Sequence, residues 1–154
     1  MVTVRAEAII GCTPDEVLDM VMDIDRYARV DKKIHPVLWA RREGEVLTFA
    51  CRPKLVGLRQ PKVVQYVRRT PGRRIDIGLT PLPANRIAHA VADFRASFET
   101  SEADGGTRVV RTLTFQFTPM LRWLLEPLFA RLLEGEVREE LRLAKQHLES
   151  GRRA

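Results

Sequence analysis

The sequence predicts an α+β fold with one antiparallel sheet of seven strands and helices packed on one side. Three observations carry this prediction. A strand-like run opens the chain and leads into a capped helix. Six runs of period-two hydrophobicity follow between residues 37 and 117, separated by short turn-forming segments. A long apolar helix then spans residues 119 to 149.

The opening strand covers Val2 to Ile10, where Val2, Val4, Ala6 and Ala8 alternate with Thr3, Arg5 and Glu7. A helix start follows. Thr13 is a suitable N-cap, Pro14 suits the first helical position, and Glu16 completes a capping box. Val17, Met20, Val21 and Ile24 recur at helical spacing, and a second helical turn is expected over Asp25 to Val30. Strands are expected over Val37 to Arg42, Val46 to Pro53, Lys62 to Arg69, Arg73 to Leu79, Ile87 to Thr100 and Thr107 to Phe117. Glu43-Gly44, Pro71-Gly72, Pro81 to Asn85 and Ala103 to Gly106 are turn chemistry, so neighbouring strands form antiparallel hairpins. Thr118-Pro119 opens the last helical region, which Glu126-Pro127 either interrupts or merely kinks.

A chain of 154 residues suits one domain, placed at residues 1–150 with a basic tail at 151–154. No apolar run is long enough for a membrane span, and no signal peptide is recognised. Cys12 and Cys51 have no metal or disulfide spacing, so a reduced, cytoplasmic setting is expected. Cys12 reads as structural. No phosphate loop, paired metal ligands or nucleophile elbow appears, and neither metal nor cofactor is expected. The net charge of +6 is concentrated in residues 52–111, which hold twelve Arg/Lys and five Asp/Glu. This basic stretch is consistent with solvated strand faces; the competing readings are contact with nucleic acid or an anionic membrane, with nucleic acid the less favoured. A monomer and a homodimer are equally compatible with the sequence.

The closing helix carries two apolar stripes. Leu121, Leu125, Leu128 and Leu132 form one; Val137, Leu141, Ala144 and Leu148 form the other, turned by roughly 150° at about 100° per residue. One helix with two buried faces needs two partners, or one partner and one cavity. The strand parity of Phe94 and Phe98 also contains Ala88, Ala90, Ala92 and Ala96, which leave volume to be filled. The helix would span ~46 Å and an eleven-residue strand ~36 Å, enough to wall a groove of ~300–1,000 Å³. Leu125, Phe129 and Leu132 are then the expected lid, and Val137, Leu141 and Leu148 the anchor. A solid core with a kinked helix is the alternative.

The turn Cys12-Thr13-Pro14-Asp15-Glu16-Val17, the segment Met22 to Val30, Gly105-Gly106-Thr107-Arg108-Val109, Phe115 to Pro119 and the leucine-rich final helix together resemble the SRPBCC, or START-like, superfamily. Arg26-Tyr27 followed by Asp31-Lys32-Lys33-Ile34 is similar to its polyketide cyclase/dehydrase-like actinobacterial subset. The resemblance covers nearly the whole chain. It implies a helix-grip (Bet v 1-like) fold, in which a curved sheet wraps a long C-terminal helix around a hydrophobic cavity. It also implies apolar ligands such as lipids or polyketides, without fixing one activity. A Trp common near the end of the second short helix is absent from Ala28-Arg29-Val30, which implies a reshaped pocket mouth.

The expected function is therefore binding of a hydrophobic small molecule for storage, transport or sensing. The alternatives are a cyclase/aromatase-type enzyme and a basic interaction module for RNA, ribosome or membrane. Catalytic candidates are Arg111, Tyr66 and His89. Arg111 shares parity with Val109, Leu113 and Phe115, which turns it inward, where it would bind a ligand carboxylate or enolate; a strand-end position or a bulge turning it outward weighs more. Tyr66 offers a hydroxyl, and His89 a proton carrier, although a satisfied histidine is the commoner case. Trp39, Phe49, Tyr66, Ala92, Phe94, Phe98, Arg111, Leu113, Phe115, Leu125, Phe129 and Leu132 are the ligand-binding candidates. Trp123 lies off the first leucine stripe and is expected to be exposed at a mouth, a partner surface or a membrane.

Overall fold

The computed structural model describes residues 1–55, 57–81 and 84–153. Strand β1 (Val2–Ile10) leads to α1 (Pro14–Met22), α2 (Ile24–Val30) and a 3-10 turn (Lys32–Ile34). β2 (Val37–Glu43), β3 (Val46–Cys51), the short pair β4 (Lys54–Leu55) and β5 (Leu58–Arg59), β6 (Val63–Thr70) and β7 (Arg74–Leu79) follow. Then come α3 (Arg86–Val91), β8 (Ala92–Ala103), β9 (Gly106–Phe117) and α4 (Pro119–Arg153). Seven strands form one antiparallel sheet in the order β1-β9-β8-β7-β6-β3-β2, and β4 and β5 form a separate hairpin. With its long C-terminal helix this is the helix-grip architecture.

Local chemistry explains the first elements. Thr13 Oγ1 accepts from the Glu16 amide at 3.3 Å, and Glu16 accepts from the Thr13 amide at 3.4 Å, which is the predicted capping box. Asp23 ends α1 and caps α2 by accepting from the Asp25 amide at 3.2 Å. Gly106 adopts φ 145°, and a Cβ there would stand 2.0 Å from the Ile10 carbonyl oxygen. Only glycine lets the β8–β9 hairpin press against the end of β1.

The sheet has one buried face. Phe49, Val67, Ile75, Phe98, Val109 and Leu113 are buried on it, and α1, α2 and α4 cover it. The far end of α4 is clipped to β1: the Gly11 amide donates to Glu149 Oε2 at 2.9 Å, and Lys145 Nζ donates to the Ile9 carbonyl at 2.8 Å.

Two sequence expectations are corrected. The strand expected from Ile87 begins only at Ala92, because residues 86–91 form α3. Asn85 adopts a left-handed backbone (φ 60°), and its side chain binds the start of β6: Val64 N donates to Asn85 Oδ1 at 2.7 Å, and Asn85 Nδ2 donates to the Val64 carbonyl at 2.7 Å. The chain is thereby turned into a helical segment. Ala88 and Ala90 suit that helix and do not belong to a strand. Nor does Pro127 break α4, which runs on to Arg153. Its buried row passes through Phe129, Leu133, Val137 and Leu141, and steps of four residues rotate the row by about 40° each. The two stripes are one buried face drifting round the helix, bridged by the fully buried Leu133.

Candidate functional site

A cavity of about 110 Å³ lies between the sheet's buried face and α4, open at one end. Its deep wall is apolar, with Ile77, Ala92, Leu113, Phe115, Phe117 and Phe129. The mouth is rimmed by the β4–β5 region (Leu55, Gln60, Pro61) and by α3 (Ile87, Val91). The cavity is smaller than the groove expected from the four alanines. Two of those alanines are on α3, and four phenylalanines fill the rest. Phe115 meets Phe94 at 4.9 Å and Phe129 at 5.0 Å between ring centres, and Phe117 meets Phe129 at 4.9 Å.

The inner end of the cavity is polar. Arg111 is buried and points inward. The β8–β9 register is unbroken from Ala92↔Phe117 to Ala103↔Gly106, so no bulge turns it outward. Its Nε donates to Glu140 Oε2 at 2.8 Å, and its Nη2 donates to Tyr27 Oη at 3.1 Å. Its guanidinium carbon lies 4.2 Å above the Phe98 ring centre. Tyr27 Oη donates to Asp31 Oδ2 at 2.9 Å, and Lys33 Nζ pairs with Asp31 Oδ1 at 2.9 Å. Two cations and two carboxylates are thus packed together out of water around one phenol. Arg111 Nη1 is buried with no hydrogen-bond partner among the described residues.

Burial sets the electrostatics. It pushes the Glu140 carboxyl up to about 7, against the pull of Arg111, and the nearby Asp31 carboxylate adds to the rise. Although Arg111 also reaches Glu140 Oε1 at 3.3 Å, desolvation beside a second carboxylate outweighs that pairing. Burial acts on Asp31 too, but Lys33, Glu140 and Arg111 together hold its carboxyl below the ordinary range. Burial likewise disfavours the Lys33 ammonium, yet the Asp31 and Glu140 carboxylates keep its pKa above the usual value. The Tyr27 phenol is raised well above its ordinary value, chiefly by burial. Glu140 is therefore the first of the two carboxyls to take a proton.

Of the sequence candidates, Ala92, Phe94, Arg111, Leu113, Phe115 and Phe129 line the cavity. The others lie elsewhere. Tyr66 is on the outer face of the sheet, its ring 5.5 Å from the Arg68 guanidinium and packed across Gly78. His89 Nε2 is 2.9 Å from the Thr80 carbonyl on α3's own approach loop. Trp39 is exposed on the edge strand β2, and Phe49 is solid core. Phe98 lies beneath Arg111, Leu125 packs against the core, and Leu132 is exposed beside an outer groove with Lys32 and Glu136. Of the expected lid, then, only Phe129 faces the cavity. The polar cluster adds Tyr27, Asp31, Lys33 and Glu140. Glu140 carried a signal: it falls within the apolar row of Val137, Leu141 and Ala144, opposite an arginine of buried parity. Among the described residues no group of three or more His, Cys, Asp or Glu side chains is placed to hold a metal ion.

Residues 1–149 match the family described as polyketide cyclase / dehydrase and lipid transport. Among solved structures, the chain is similar to TTHA0849 from Thermus thermophilus, with a TM-score of 0.78 and 20% identity over 97% of this chain and 99% of that one. It is similar to the di-domain ARO/CYC StfQ of the steffimycin biosynthetic pathway, with a TM-score of 0.76 and 13% identity over 99% of this chain and 52% of that one. It is also similar to the Zhui aromatase/cyclase from Streptomyces sp. R1128, with a TM-score of 0.74 and 12% identity over 96% of this chain and 93% of that one. No curated protein matches. At these identities the likeness is one of fold.

Proposed function

The chain belongs to the polyketide cyclase/dehydrase and lipid transport family, and on that premise we propose that it holds an apolar small molecule, lipid- or polyketide-like, for storage, transport or sensing. The observation that carries this reading is the orphaned Nη1 of Arg111, in the polar inner end of a cavity whose deep wall is apolar. A buried donor without a partner costs roughly 1–3 kcal/mol, which a ligand oxygen would recover. Such an oxygen accepts from Nη1 while the apolar body lies along Phe115 and Phe129. A cavity of about 110 Å³ takes a compact head, and the remainder of a longer ligand extends through the mouth.

Native mass spectrometry tests this directly: the expected result is release of an apolar ligand from the purified protein. Ala92→Phe fills the wall without touching the charged cluster. It is expected to keep the circular dichroism spectrum and to lose both the ligand and the fluorescence enhancement of cis-parinaric acid. Wild-type protein that carries no ligand and behaves like Ala92→Phe towards cis-parinaric acid sinks the reading.

One arrangement favours a second reading, a cyclase- or aromatase-type enzyme. The Tyr27 hydroxyl, which lines the cavity, stands within hydrogen-bond distance of Arg111, and Glu140 pairs with that arginine from behind, so a proton donor lies beside the ligand oxygen with a proton acceptor linked to it through Arg111. Turnover of a poly-β-ketone thioester, followed by mass spectrometry and abolished in Tyr27→Phe with cis-parinaric acid binding retained, would support it. Equal turnover in that variant removes Tyr27 from the chemistry.

A further inference from the structure

The β4–β5 region and α3 line the outer part of the cavity, and the start of α4 lies beside α3. Each exposes large apolar side chains. Leu58 stands on the hairpin, Ile87 on α3, and Met120, Trp123 and Leu124 on the outward face of α4, with Trp123 75% exposed and Met120 85%. Nothing among the described residues covers them. The α3 and α4 parts are contiguous, since the Thr118 amide donates to the Val91 carbonyl at 3.0 Å.

The same three segments are one-sided in charge. Residues 52–62, 86–91 and 119–133 hold seven Arg/Lys and one Asp/Glu. The seven are Arg52, Lys54, Arg59, Lys62, Arg86, Arg122 and Arg131, all exposed. The one acid, Glu126, is taken by the Met1 ammonium at 3.1 Å. None of the seven forms an ion pair among the described residues. Most of the sheet's arginines differ: Arg5, Arg41, Arg69, Arg74, Arg95 and Arg108 pair with carboxylates, while Arg42 donates to the Gly44 carbonyl and Arg68 lies over the Tyr66 ring. Unpaired cations and unburied apolar side chains therefore coincide on one rim.

We propose that this rim is a docking face for an anionic lipid bilayer, with Leu58, Ile87 and Trp123 entering the interface and the unpaired basic side chains meeting lipid phosphates. A tryptophan with one polar edge suits that depth. Apolar insertion combined with basic residues gives reversible, charge-dependent binding. The occupant is a bilayer and not a protein because the exposed apolar side chains stand among unpaired cations, and Ile87, 64% exposed, together with the exposed Lys62 also lines the cavity, so an inserted rim gives a lipid-soluble molecule a path that avoids water. The docking stands on the rim itself; only its use in ligand transfer rests on the function proposed above.

The test uses the whole chain in a Trp39→Phe background, so that Trp123 is the one tryptophan, with vesicles of phosphatidylcholine alone or mixed in equal parts with phosphatidylserine. Sedimentation with the mixed vesicles, a blue shift of Trp123 and its quenching by brominated lipid are expected, with binding that falls steeply as salt is raised. Arg86→Gln/Arg122→Gln/Arg131→Gln is expected to weaken binding roughly a hundredfold, about fivefold for each charge removed. Arg41→Gln/Arg42→Gln/Arg95→Gln, with the same net charge, is expected to bind like the parent. Trp123→Ser/Leu58→Ser is expected to lose vesicle binding while keeping cis-parinaric acid binding, which separates failure of docking from failure of the cavity reading. Equal weakening by the two triple variants overturns the proposal, as does absence of binding to mixed vesicles at low salt. Tighter binding to single-stranded RNA than to vesicles, or self-association abolished by Trp123→Ser without vesicle binding, assigns the face to another partner and also overturns it.

Discussion

Arg111 and Glu140 occupy positions where the hydrophobic pattern calls for aliphatic side chains, and each is tolerated because of the other. Removing one leaves a buried, uncompensated charge, so Arg111→Met is expected to lower the unfolding free energy by about 3–5 kcal/mol in urea titration. Arg111→Met/Glu140→Leu leaves the Asp31–Lys33 pair balanced and is expected to recover most of that loss; a double variant as unstable as the sum of the singles would contradict the pairing. The same residues set a pH dependence. Between pH 4.5 and about 7 the folded protein keeps a Glu140 proton that the unfolded chain has released. Stability therefore falls as pH rises through that window, by up to about 1.4 kcal/mol per unit. Asp31 acts in the opposite sense: its contribution is full above pH 3.8 and is lost as pH falls further. The difference in stability between wild type and Glu140→Gln should follow the Glu140 limb, and a pH-independent difference would refute it. At this scale the sequence was half legible. Strand parity offered an inward position for Arg111, but a strand end or bulge turning it outward weighed more, and the unbroken β8–β9 register decides for inward. Tyr27, Asp31 and Lys33 gave no such sign, because their burial arises where a helix, a 3-10 turn and a distant strand converge, and no periodicity records that.

Leu55, Ala88 and Val91 of the rim pack against the core, while local polar chemistry fixes the start of α3. Asn85 is the clearest case. Its side chain satisfies both backbone groups of Val64 and donates to the Thr80 carbonyl at 3.1 Å, while its own backbone is left-handed. Asn85→Ala is expected to cost about 1–3 kcal/mol and to speed amide hydrogen exchange across α3. Asn85→Gly relieves the backbone alone; exchange as slow as in wild type would mean that the side-chain bonds contribute nothing. These elements were also the hardest to foresee. Ile87, His89 and Val91 alternate as a strand would, and the alternation lost to a single side chain that turns the backbone before it. The β4–β5 hairpin contributes only two residues per strand, too few for any periodic signal. By contrast the α1 cap was readable residue by residue, since Thr13 and Glu16 act on their immediate neighbours, and the β8–β9 hairpin was readable from its Ala103 to Gly106 turn.

At the scale of the whole molecule, the first strand pairs with the last, and the end of α4 locks onto β1, so sheet and helix close on one another across almost the full chain length. That closure was foreseeable from the count and order of the elements. The cavity's true size was not, because it depends on how four phenylalanine rings settle. The closed shell leaves the four-charge cluster facing two ways. Arg111 and Asp31 border the cavity, while Lys33 and Glu140 also border an outer groove open to solvent. With Glu140 ionised the cluster sums to zero; with Glu140 protonated it carries one positive charge. A neutral ketone is indifferent to that count, whereas an ionised fatty acid favours the protonated form. Near neutral pH, then, a carboxylate ligand is expected to draw in up to one proton as it binds, and a ketone of the same shape none. Calorimetry of the two ligands in buffers of differing ionisation enthalpy reads that inventory, and carboxylate heats that do not change with buffer would rule it out. Through Glu140 the charge of a hidden guest becomes an event in the surrounding water.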